Sequence, residues 1–156
     1  MNKVLMFTLS SNELRKAQSI QQQIFQKDLQ MELMDINNKY RPALGYNNYP
    51  NMLNRQNILL EKNNLIRQRD ECLSNAISYA LDILLDDIEK KDSDLLSIGG
   101  MAINSIVSFV TAYHITFVLS FYVRIKLSQV MVKLLMPNYT YWNLKNQLEK
   151  LERQIT

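Results

Sequence analysis

All three prolines of this chain, Pro42, Pro50 and Pro137, fall between stretches of periodically spaced apolar residues, and only three glycines accompany them in 156 residues. A β-sandwich or barrel reverses direction many times and needs turn residues at each reversal. A chain with so few is confined to a small number of long helices, so the expected fold class is all-α. Its length allows one domain, two at most. Apolar residues make up 47% and charged residues 21%, enough to bury a core and unlike a disordered chain.

Charge and residue counts exclude several kinds of chemistry. A net charge of +3 comes from 18 basic and 15 acidic residues, with no basic run long enough to follow a phosphate backbone. No nucleic-acid partner is expected. The lone cysteine, Cys72, makes no internal disulfide, and the lone histidine, His114, lies in a different expected helix, so no zinc-type ligand set forms. No Gly-rich phosphate loop or Gly-x-Ser-x-Gly elbow occurs. The acidic stretch 82–94 lacks the alternating oxygen ligands around a glycine that a calcium loop needs, and reads as a solvated helix end. No catalytic residue, cofactor, metal or small-molecule substrate is expected. The apolar run after Lys3 is too short for a signal peptide.

The first 91 residues predict an antiparallel helical hairpin. Ser10 and Glu13 have capping-box spacing, which places a helix over about 11–39, with residues 3–9 as a short strand or lead-in. Ala17, Ile20, Ile24, Met31 and Met34 form its seam, broken by Lys27, and Phe25, Leu29, Leu33 and Ile36 widen it on one side. A loop follows at 40–51. The second helix, about 51–91, repeats Leu59, Ile66, Leu73 and Ala80 every seven residues. Lys62 and Arg69 thin its first half, and Ala76, Ile77, Leu81, Leu84 and Ile88 thicken its second. The residues expected to carry helix packing are Ile24, Met31, Leu73, Ile77 and Leu84, joined by Leu148 and Leu151 near the end of the chain.

Residues 92–136 are expected to form a second part. From Leu95 to Val123 there are 29 residues without Asp, Glu, Lys or Arg. About 20 apolar residues span a bilayer. Read as a transmembrane helix over about 97–123, this segment places Ser97, Asn104, Ser108 and Thr111 on one stripe, suited to close helix packing in lipid. Read otherwise, it is the surrounded central helix of a bundle. Acidic residues before it and Arg124, Lys126 and Lys133 after it favour the membrane, with the C-terminus on the cytoplasmic or matrix side. An amphipathic extension over 124–136 then uses Leu127, Val130, Met131, Leu134 and Leu135. His114 stands alone there and reads as a packing residue.

Residues 137–156 form the third part. Tyr139, Tyr141 and Trp142 suit a membrane interface or a bundle cap. Leu144, Leu148, Leu151 and Ile155 then give a short coiled-coil face. The pattern points to a non-catalytic structural subunit of a large membrane-associated assembly, whose partners are other protein subunits and a lipid bilayer. Two alternatives remain. One is a soluble helical assembly protein of a virion, phage particle or secretion filament. The other is a pore-forming or translocator-like protein.

Overall fold

A computed structural model describes residues 2–40, 49–90, 97–134 and 142–156, with backbone alone for residues 40 and 49–52. Among the described residues there are five α-helices and no strand. These are α1 (Lys3–Tyr40), α2 (Tyr49–Glu89), α3 (Ile98–Ala112), α4 (Phe121–Leu134) and α5 (Trp142–Arg153). The chain is all-α and divides into two compact units, one of Met1–Ala17 with Asp70–Thr156, the other of Gln18–Arg69.

α1 begins at Lys3, well before the expected start. Asn2 supplies the cap: its side-chain oxygen accepts a hydrogen bond from the Leu5 N–H at 3.0 Å, satisfying one of the donors that a helix start leaves open. Ser10 is not an N-cap. It lies inside the helix and is buried, and its hydroxyl donates to the Ala76 carbonyl at 2.9 Å. Its spacing to Glu13 matches a capping box without serving as one.

In the unit Gln18–Arg69, α1 and α2 run antiparallel. Gln21 faces Arg69, Lys27 faces Glu61, Asp28 faces Lys62, and Asp35 faces Arg55, at 2.6–2.9 Å. Ile24 and Met31, one heptad apart, are buried. Phe25, Leu29, Leu33 and Ile36 do not widen that seam. They form a separate, exposed stripe, because a seam between only two helices is narrower than the apolar content of α1.

The larger unit has one core. Leu73, Ile77, Leu81 and Leu84 of α2 share it with Ile103, Ile106 and Val110 of α3, Val123, Leu127 and Val130 of α4, and Leu144, Leu148 and Leu151 of α5. This shared core places the thick half of α2 in the same compact unit as α3, α4 and α5: its stripe is buried with the elements that follow it. At roughly 1.5–3 kcal/mol for each large apolar side chain fully removed from water, these side chains supply the main drive for folding this unit.

The segment 97–123 is not one helix. α3 ends at Ala112, residues 115–120 are non-helical, and Phe121 already opens α4. Among the described residues no helix is long and apolar enough to cross a membrane. The end of α3 is a Schellman motif. The Ile115 N–H bonds to the Val110 carbonyl at 2.8 Å and the His114 N–H to the Thr111 carbonyl at 3.3 Å, with His114 at φ 51°. Ile115 and Val110, the positions where this motif usually places an apolar pair, are both buried in the same core. The chain then alternates: Ile115, Phe117 and Leu119 are buried, Thr116, Val118 and Ser120 exposed. Phe117 exchanges backbone hydrogen bonds of 3.0 Å with Gln154 and Thr156, a parallel bridge holding the chain's last residues.

Candidate functional site

α4 carries apolar residues on two sides. Val123, Leu127, Val130 and Leu134, spaced four, three and four, face the core. Phe121, Ile125 and Val132 face outward and are 79%, 43% and 65% exposed. A helix with one buried face has no packing need for the second set, and contiguous exposed apolar surface marks interaction sites.

The outward face borders a groove of about 860 Å³. Leu85 and Glu89 of α2 form one wall, and Phe121, Ile125, Gln129, Val132 and Lys133 of α4 the other. Arg124, Ser128 and Val132 form a ridge, with a second depression of about 630 Å³ beyond it, bounded by Leu127, Met131, Glu152 and Ile155. The walls are held at fixed spacing. Lys126 pairs with Asp82 at 2.8 Å and donates to the Ser78 hydroxyl at 3.0 Å, while its ammonium lies 4.7 Å from the centre of the Tyr122 ring. Lys133 approaches Glu89 to 3.8 Å across one end of the groove. Arg124 donates to the Leu119 and Thr156 carbonyl oxygens, which ties α4 to the extended segment and the last residue.

The charges of α4 are of one sign. Phe121–Leu134 contains Arg124, Lys126 and Lys133 and no carboxylate. The groove's charged lining is Arg124 and Lys133 of α4 with Glu89 of α2, and an apolar groove so edged can take the apolar face of an amphipathic helix that brings a carboxylate to Arg124.

The residues singled out from the sequence are distributed differently. Ile24, Met31, Leu73, Ile77, Leu84, Leu148 and Leu151 are all buried. The stripe on α3 does not come together as a packing face. The Ser97 hydroxyl caps α3 by accepting from the Gly100 N–H at 3.0 Å, and the Thr111 hydroxyl bonds back to the Val107 carbonyl at 2.7 Å. Asn104 and Ser108 lie exposed, and α3 packs through Ala102, Ile103, Ile106, Val107 and Val110 instead. Trp142 is exposed at the first position of α5, and Tyr139 and Tyr141 lie outside the described residues. His114 is exposed, so it is not a packing residue. Cys72 is half-buried, and burial, reinforced by Glu13, pushes its thiol up and away from thiolate chemistry. Among the described residues no group of three or more His, Cys, Asp or Glu is placed to hold a metal ion.

Phe121, Ile125 and Val132 were not distinguished by sequence reasoning, which assigned Phe121 to the membrane helix and only one apolar face to 124–136. The signal was present in α4 itself, which has more apolar positions than one face of a helix can hold. Comparison with family models, curated proteins and solved structures finds no match to this chain.

Proposed function

We propose that this chain is a non-catalytic assembly protein that binds a helix of a partner subunit in the α2–α4 groove. One observation carries the reading: three large apolar side chains, Phe121, Ile125 and Val132, stand in register on the exposed face of a helix whose other face already fills the core. Exposed apolar area of this kind in a fixed groove is the usual form of a helix-in-groove receptor. Burying it removes apolar surface from water, and the rigid α4–α2 clamp through Lys126 and Asp82 limits the ordering cost of binding.

A membrane-associated assembly is the second reading. Its specific support is the same helix, where exposed Phe121, Tyr122 and Val132 accompany three cations and no acid, a combination suited to lying on an anionic lipid surface.

A photo-crosslinking residue at Val132 of the full chain, activated in the cells that make it, separates the two. The assembly reading expects a discrete adduct to a polypeptide, lost when Ile125 is also replaced by Glu. Adducts to lipid alone would support the second reading, and no adduct at all would remove both.

A further inference from the structure

Among the described residues, the unit Gln18–Arg69 carries an exposed apolar stripe of its own. Phe25, Leu29, Leu33 and Ile36 lie along one side of α1, with Phe25 and Leu33 each 61% exposed. From Phe25 to Ile36 is eleven residue steps, the same as from Phe121 to Val132, and each stripe is therefore about 16 Å long at 1.5 Å per residue. The two stripes differ in charge. Among residues 25–36, Lys27, Asp28 and Asp35 are turned to Glu61, Lys62 and Arg55 of α2, which leaves exposed Glu32 as the charge beside the stripe, whereas α4 carries Arg124 and Lys133 at the edge of its groove.

We propose that the occupant of the α4 groove is the Phe25–Ile36 stripe of a second copy of this chain. This rests on the reading of the groove as a helix receptor. Length and apolar spacing match, since Phe25, Leu29 and Ile36 repeat the four-and-seven spacing of Phe121, Ile125 and Val132, and Glu32 beside the stripe meets Arg124 beside the groove. Like-with-like pairing is less favourable. α4 against α4 sets Arg124 against the same cation, and parallel α1 against α1 sets Glu32 against itself. A contact between two different surfaces is heterologous, so each docked copy leaves one stripe and one groove free and the assembly extends unless its rotation closes a ring.

Two variants of the full chain test this by mixing. Leu33→Glu disables the stripe and Val132→Glu disables the groove. Both positions are exposed, so far-UV circular dichroism of each is expected to match the wild type. Sedimentation velocity should show the wild type growing with concentration, shrinking again as salt is raised, and each variant alone at the mass of one chain. The two variants mixed in equal amounts should give a species of twice that mass and nothing larger, because one working stripe meets one working groove. A Leu29→Cys chain mixed with an Ile125→Cys chain should form an inter-chain disulfide that neither forms alone.

If Leu33→Glu abolishes growth while Val132→Glu assembles like the wild type, the contact is antiparallel stripe on stripe and the proposal fails. A wild type that stays at single-chain mass throughout also overturns it. The groove reading would still stand in that case if the Val132 crosslink reaches a different polypeptide. Co-sedimentation with anionic vesicles, lost in Val132→Glu and without self-association, would assign the groove to lipid and overturn both.

Discussion

The Ser10 hydroxyl donates to the Ala76 carbonyl oxygen across 2.9 Å, with both residues buried where α1 passes α2. Ala17 and Ala80 are also fully buried on these helices, and small side chains at such positions let two backbones approach. Ser10→Asp is the informative substitution. Asp is as good an N-cap as Ser, so it would be harmless if Ser10 opened the helix. At a buried position facing a carbonyl oxygen, a carboxylate has no donor to accept from, and the expected loss is about 3 kcal/mol or more. Urea denaturation measures it, and a loss under about 1 kcal/mol would restore the capping assignment.

Gly99 sits where α3 begins, against the last turns of α2. A Cβ built there comes within 2.8 Å of both the Asp87 Oδ2 and the Leu84 Cδ2, and 3.2 Å from the Ile83 Cγ2. Asp87 is buried and held by Lys3 at 2.5 Å, so its short side chain has little room to yield. Ala ordinarily gains about 1 kcal/mol over Gly in a helix. Here the overlap should outweigh that gain and leave a net loss of about 1–2 kcal/mol in thermal or urea unfolding. A stabilised Gly99→Ala protein would mean α3 does not approach α2 this closely.

The same corner responds to pH. The Lys90 hydrogen bond, with Lys3 adding to it, holds the Asp86 carboxyl below its ordinary 3.8 despite partial burial. Because the folded value is the lower one, this contribution is present above pH 3.8 and is lost as pH falls through the lowered value. The Asp87 hydrogen bond raises the Lys3 ammonium above its ordinary 10.5. That contribution is present below pH 10.5 and is lost as pH rises through the raised value. Lys90→Met should therefore fall short of the wild type at neutral pH and converge on it in strong acid, whereas Lys3→Met should converge on it in strong alkali. Urea midpoints across pH check both, and gaps that do not change with pH would count against these pairings.

How much of this was legible depended on the signal each element carries. The hairpin followed from apolar spacing at Ile24, Met31, Leu73 and Ala80 and from the turn residues between the two periodic stretches, although Pro50 lies in the first turn of α2, where a proline's missing N–H costs no helical hydrogen bond. The thickened second half of α2 was legible for the same reason, although that its stripe serves α3, α4 and α5 depends on tertiary packing. The true start of α1 was obscured because Ser10 and Glu13 satisfy a local rule that Asn2 satisfies in the structure. The groove was missed because the apolar run across Phe121 was read at a single period. Its neighbours Ile115 to Ser120 alternate with period two, which marks an extended segment, and that short alternation was masked by the longer charge-free stretch.

The break after α3 was the hardest to see, because it contains neither Gly nor Pro. His114 occupies the left-handed position at φ 51° that Gly usually fills in a Schellman cap. Its side chain is exposed, so substitutions there report backbone preference with little interference from packing. His114→Gly removes the left-handed penalty and should raise stability by about 0.5–1 kcal/mol. His114→Val adds a β-branched side chain in a region it strongly disfavours and should cost about 1–2 kcal/mol. The order distinguishes this fold from one continuous helix over 97–123. In a helix interior Gly is the worst of the three residues, by several tenths of a kcal/mol, and Val is close to His. Thermal unfolding that ranks Gly above His above Val supports the break. The reverse order between Gly and Val would rejoin α3 and α4 into the single long helix that a membrane span requires.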